Sequence, residues 1–143
     1  MSRKLNILLV EDDELDVINL RRAFRDAPGI ESITVAPDGV EALSLLRSGQ
    51  LALKRLLILL DLRMPRMSGL EFLHHLRQDQ ALHMLPVVVL TTSRDQRDLK
   101  EAYENHVAGY LLKPVSLVQF RDTMNHLLAY YSYVDFPWES NEP

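Results

Sequence analysis

The apolar positions of this chain follow two patterns. The first is the short run with little or no polar alternation: Leu5–Val10, broken only by Asn6, then Leu56–Leu60 and Pro86–Leu90. Runs of this length suit strands covered on both faces. Two weaker segments join them, the β-branched Ile33–Ala36 and Ala108–Leu112. The second pattern is helical spacing. It is carried by Leu15, Ile18, Leu20, Ala23, Phe24 and Ala27, then by Val40, Ala42, Leu43 and Leu46, then by Leu70, Phe72, Leu73 and Leu76. Leu99, Ala102 and Tyr103 mark a fourth helix, and Leu117, Phe120, Met124, Leu127, Leu128 and Tyr131 give one face of a fifth. Turn residues separate the segments: Pro28-Gly29, Pro37-Asp38-Gly39, Ser48-Gly49, Met64-Pro65 with Ser68-Gly69, and Pro114.

Five strands alternating with five helices predict an α/β fold, a doubly wound five-stranded parallel sheet with helices on both faces. Of the common doubly wound orders, five strands favour 2-1-3-4-5. Ligands of such sheets bind beyond the carboxyl ends of the strands. The residues found there are polar. The first strand runs into Glu11-Asp12-Asp13, the third into Asp61, the fourth into Thr91-Thr92-Ser93 and the fifth into Lys113.

Composition narrows the function classes. At 143 residues, 47% hydrophobic and 25% charged, the chain is one ordinary globular domain by size. A net charge of -4 argues against a nucleic-acid surface. Without cysteine there is no disulfide framework, thiol nucleophile or Cys-ligated zinc. No apolar run reaches the length of a membrane span, and the Met1-Ser2-Arg3-Lys4 start does not suit a signal peptide, so a cytoplasmic protein is expected. His74 and His75 are adjacent and leave a helix in different directions, so no metal is assigned to them.

The convergent residues carry a specific chemistry. Clustered carboxylates raise one another's pKa, and a hard divalent cation removes the conflict. Mg2+ takes oxygen ligands and typically uses one or two carboxylates beside a phosphate. A cation, a lysine and a hydroxyl are equipment for stabilising a phosphoryl group, and aspartate can accept one as nucleophile. The site thus reads as a Mg2+-dependent phosphoacceptor centred on Asp61. Asp13 reads as a helix cap.

The set Val10-Glu11-Asp12-Asp13, Asp61 with Met64-Pro65 and Gly69, Thr91, and Tyr110-Leu111-Leu112-Lys113-Pro114 resembles the receiver domain of two-component response regulators, the CheY-like, flavodoxin-like fold. The resemblance implies that Asp12 and Asp61 ligate Mg2+ directly, with the main-chain carbonyl of Arg63 as third ligand and Glu11 acting through water. It implies Asp61 as phosphoacceptor, Thr91 as switch hydroxyl, Tyr110 as switch aromatic, Lys113 as partner of the carboxylate or phosphate, and a cis Lys113–Pro114 peptide. It implies a sensor histidine kinase as donor, output through protein–protein contact and no enzymatic activity beyond the receiver's own phosphorylation and dephosphorylation. Residues 1–131 are expected to form the receiver and 132–143 an aromatic tail without an output domain.

Two narrower readings stand beside this one. Pro86–Ser93 and Ala102–Val107 resemble the small response regulators paired with cyanobacterial phytochrome kinases, although Tyr130-Tyr131-Ser132-Tyr133 and Asp135-Phe136-Pro137-Trp138-Glu139 are unusual there. The rival class is a haloacid dehalogenase-like phosphohydrolase using Asp61 as nucleophile. That family wants a second Asp two positions on, where this chain has Arg63. Five aromatic residues crowd the last fourteen positions, so a homodimer is expected through the fourth helix, fifth strand and fifth helix, with the tail contributing.

Overall fold

A computed structural model describes residues 3–25, 27–114 and 116–137. The elements run β1 (Leu5–Val10), α1 (Glu14–Phe24), β2 (Ile30–Ala36), α2 (Gly39–Arg47), β3 (Leu56–Leu60), α3 (Gly69–Gln78), β4 (Val87–Thr91), α4 (Gln96–Glu104), β5 (Gly109–Leu112) and α5 (Leu117–Tyr131). All neighbouring strands pair in parallel, in the order β2-β1-β3-β4-β5. The expected fold is therefore the observed one. β2 begins three residues earlier than its β-branched core suggests, because Ile30 and Ser32 already pair with Leu5 and Asn6.

The uninterrupted apolar runs are explained by the two faces of the sheet. Leu8, Val10, Ile58, Leu60, Val87 and Val89 belong to a core shared with Leu43, Phe72, Leu73 and Ala102 of α2, α3 and α4. Leu5, Ile7, Leu9, Leu57, Leu59, Val88 and Leu90 point the other way, onto Leu20, Phe24, Phe120 and Met124 of α1 and α5. Successive residues of a strand face opposite sides, so both sets must be apolar.

Several expectations are corrected, and Val40 and Tyr103, apolar positions of the second and fourth helical patterns, are both exposed. Leu15 and Ile18 share helical spacing with the buried Leu20 and Phe24, yet they are 64% and 46% exposed. Both line the open crevice with Glu11, Asp61 and Lys113 instead of joining the core. Leu117 is likewise exposed at the first turn of α5. The Lys113–Pro114 peptide is trans, the isomer an X–Pro bond prefers when no contact imposes the other.

The tail behaves differently from a free aromatic surface. Tyr131 and Phe136 are buried in the domain's own second core, their ring centroids 5.7 Å apart. Arg55, itself buried, donates to the carbonyls of Tyr131 (2.8 Å), Val134 (2.9 Å) and Lys4 (3.3 Å), and its guanidinium lies 4.6 Å from the centre of the Phe136 ring. Among the described aromatic residues there, Tyr130 and Tyr133 are exposed, at 64% and 85%. Trp138, expected in the same surface, lies outside the described residues. Among the described residues no helix is long and apolar enough to cross a membrane.

Candidate functional site

The sheet holds each polar residue that follows a strand. The Glu11 amide donates to the Ala36 carbonyl (3.0 Å), the Asp61 amide to the Val10 carbonyl (3.0 Å) and the Lys113 amide to the Thr91 carbonyl (2.8 Å). Backbone pairing therefore continues one residue beyond β1, β3 and β5, so the main chain at these positions is as fixed as the strands themselves. Asp13 caps α1 by accepting from the amides of Leu15 (2.9 Å) and Asp16 (3.1 Å), as expected.

The loop after Asp61 is tied at both ends. Ser68 and Glu71 form a capping box at the start of α3, and the Gly69 amide returns to the Leu62 carbonyl at 3.0 Å. Arg66, with φ +62°, donates through Nε (2.8 Å) and Nη2 (2.6 Å) to Oδ2 of the buried Asp38, the cap of α2. Burial of Asp38 opposes its ionisation, but the Glu41 amide and the Arg66 guanidinium outweigh it and hold the carboxyl below its ordinary range. This pair joins the β2–α2 turn to the Asp61 loop.

At the centre, carboxylate oxygens of Glu11, Asp12 and Asp61 lie within 4.8 Å of one another. Glu11 and Asp61 are buried, whereas Asp12 is exposed to the crevice. Asp61 Oδ1 accepts from the Leu62 amide at 2.8 Å. Lys113 Nζ donates to Glu11 Oε1 (2.5 Å) and Asp16 Oδ2 (2.7 Å), and stands 3.7 Å from Asp61 Oδ2. Burial pushes the Glu11 carboxyl up to about 7, and the neighbouring Asp61 adds to this against the pull of Lys113. Burial would lower Lys113, but its bonds to Asp16 and Glu11 reverse that and raise it. Carboxylates this close, two of them buried and all offering only hard oxygen donors, fit a divalent cation of the Mg2+ class.

Of the residues singled out from sequence, Glu11, Asp12, Asp61, Arg63 and Lys113 line one open crevice. Thr91 is fully buried, and its hydroxyl accepts from the Ser93 amide at 3.3 Å, while Thr92 lines the crevice. The Tyr110 hydroxyl donates to the Ser93 carbonyl at 3.0 Å, and burial raises its pKa. The Arg63 side chain reaches Asp98 of α4 at 2.7 Å, and the Ser93 hydroxyl donates to the same oxygen at 2.6 Å. Sequence reasoning missed Asp16 and Asp98, and it placed Ser93 at the strand end without its bonds to Asp98 and Tyr110. The only signal for Asp16 is its place one helical turn after Glu11-Asp12-Asp13.

Comparison with known proteins agrees with this geometry. Residues 7–125 match the response regulator receiver domain family. Rcp1, a response regulator of Synechocystis sp., is 35% identical over 114 residues, covering 78% of each chain. Its Mn(2+)-bound crystal structure superposes with a TM-score of 0.82 at 30% identity, covering 93% of this chain and 99% of that one. The phosphorylated cyanobacterial phytochrome response regulator RcpA superposes with a TM-score of 0.86 at 29% identity, covering 94% and 99%. A protein of Methanothrix harundinacea described as "Probable methanogenesis regulatory protein FilR2" is 40% identical over 128 residues, covering 87% of this chain and 82% of its own. The phosphohydrolase alternative finds no support in these relationships.

Proposed function

Because this chain belongs to the response regulator receiver domain family, we propose that it takes a phosphoryl group from a phosphohistidine of a sensor kinase onto Asp61. The observation that carries this reading is the meeting of three carboxylates within 4.8 Å beside Lys113 Nζ, itself 3.7 Å from Asp61 Oδ2. An Asp61 oxygen forms the bond to phosphorus as the phosphorus–nitrogen bond breaks, and the imidazole leaves with its electron pair and is protonated. Lys113 approaches the phosphoryl oxygens as their charge redistributes. When bound by Asp12, Asp61, the Arg63 carbonyl and, through water, Glu11, Mg2+ would offset the charge on those oxygens. That Rcp1 has a Mn(2+)-bound form supports a divalent cation for this chain as well. The protein's chemistry is confined to its own phosphorylation and dephosphorylation.

Phosphorylation shifts a pre-existing equilibrium. The Thr91 hydroxyl leaves the Ser93 amide for the phosphoryl group, and Tyr110 gives up the Ser93 carbonyl. Ser93 and Arg63 both meet Asp98, so the change reaches α4. The exposed Leu15 and Ile18 rim the same crevice as Asp61, which suits docking of a cytoplasmic kinase over the acceptor. The phytochrome regulators among the relatives favour a phytochrome-type kinase. The test incubates the chain with phosphorylated phytochrome kinase and with unrelated histidine kinases. Rapid, Mg2+-dependent labelling of Asp61 from the phytochrome kinase is expected. Label on another residue, or transfer unaffected by a chelator, overturns the acceptor reading, and preference for an unrelated kinase overturns the pathway.

Dimerisation is proposed through α4, β5 and α5, where Tyr103, Leu112, Val118 and Tyr130 are exposed. Among the described residues the tail contributes Tyr130 and Tyr133, since Tyr131 and Phe136 are buried in the domain itself. Sedimentation at a concentration on the order of tens of micromolar should give a dimer. A monomer there assigns this face to another partner.

A further inference from the structure

We propose that Asp16 is a positioning residue that holds Lys113 back from Asp61, so that an arriving phosphoryl group must win the ammonium from it. The inference rests on the acceptor reading of Asp61. An ammonium has three donors. Two are spent on Glu11 and Asp16, and Asp61 Oδ2 stands at 3.7 Å, beyond hydrogen-bond reach. The two competitors differ. Glu11 belongs to the three-carboxylate cluster, so a bound cation draws its charge away from Lys113. Asp16 stands outside that cluster, on the first turn of α1, and remains the competitor when the cation is present.

The space around Lys113 allows it to be re-aimed. On one side is the open crevice, and on the other a cavity of about 110 Å³ floored by Leu9, Leu20, Leu90 and Phe120. Glu11, Asp16 and Lys113 line both, so their ion pairs form the partition between them. A lysine stem in that setting can swing without displacing close-packed core atoms. Asp16 is 37% exposed at its side chain while Lys113 is 11% exposed, so the bridge can open at its outer end.

The simpler role for Asp16 is an acid in the first turn of a helix, favoured there by the helix dipole. That role predicts a lower melting temperature on substitution and no change in the affinity for a phosphoryl mimic. The test titrates beryllium fluoride into the full chain with Mg2+ saturating, for wild type, Asp16→Asn, Asp16→Glu and Glu14→Gln. Glu14 lines the same crevice from the same helical turn, without a bond to Lys113. Asp16→Asn should bind the mimic about tenfold more tightly, within the range of coupled close pairs. Asp16→Glu should return to the wild-type value, and Glu14→Gln should stay within about twofold of it, as an unpaired surface charge does. Unchanged or weaker binding by Asp16→Asn overturns the positioning role, as does equal tightening in Glu14→Gln, which would make the effect one of net charge. Wild-type chain that binds no beryllium fluoride overturns the acceptor reading and this inference with it. Wild type that binds normally beside an indifferent Asp16→Asn removes the inference alone.

Discussion

Asp61→Asn protein should take up no phosphoryl group from a phosphorylated kinase, at any Mg2+ concentration. The amide keeps the size of the carboxylate and can still accept from the Leu62 amide, 2.8 Å from Oδ1 in the wild type, so the fold has no reason to fail. What it lacks is the anionic oxygen that attacks phosphorus. Two further effects reinforce the loss. The three-carboxylate cluster becomes a pair, which weakens the cation, and Lys113 loses one of three acidic neighbours. Asp12→Asn separates these contributions, because it removes a carboxylate from the cluster and leaves the nucleophile. Its labelling should be slowed and restored by raising Mg2+, with transfer followed by gel autoradiography or intact mass. Normal labelling of Asp61→Asn would place the acceptor elsewhere.

The second large effect is expected at Gly69, where α3 starts against the backbone of Asp61. A Cβ built there would lie 2.3 Å from the Asp61 carbonyl oxygen and 2.7 Å from Leu62 Cα. Both atoms are main chain, so no flexible side chain can yield. The Gly69 amide is meanwhile held 3.0 Å from the Leu62 carbonyl, and α3 is pinned by its capping box. Either the helix start or the backbone of Asp61 has to move. Gly69→Ala should cost about 3 kcal/mol, the upper end of overpacking penalties, and lower the melting temperature by about 10 °C for a domain of this size. Phosphotransfer should fall by about a hundredfold, as a displacement on the order of 1 Å does to an aligned nucleophile. A melting temperature and transfer rate equal to wild type would mean that the close approach is not maintained in solution.

Much of this protein was determined by its sequence alone. Five apolar segments and five helical spacings specify the doubly wound sheet, because only strands buried on both faces, such as Leu56–Leu60, tolerate unbroken apolar runs. Once the strands are parallel, their carboxyl ends share an edge, so Glu11, Asp12, Asp61 and Lys113 must meet whatever the details of packing. Asp13 reads as a helix cap and is one, while Asp38 and Ser68, legible from sequence only as turn residues, cap α2 and α3.

Tertiary structure decided the rest, wherever the outcome depends on where an element ends relative to its neighbour. Leu15 and Leu20 carry the same side chain on one helix, yet the first lines the open crevice and the second is buried in the core. Spacing along a helix reports a face, not how far that face extends over a partner. Tyr131 and Phe136 look like surplus apolar surface until Arg55, 76 residues from Tyr131 in sequence, draws their backbone onto the domain. Asp16 and Lys113 are separated by 97 residues, and only the approach of α1 to the end of β5 brings them to 2.7 Å. The pairing of single charges across such distances leaves no periodic trace in a sequence. It arises from the angles at which helices lie on the sheet, and those angles are set by the packing of the whole core.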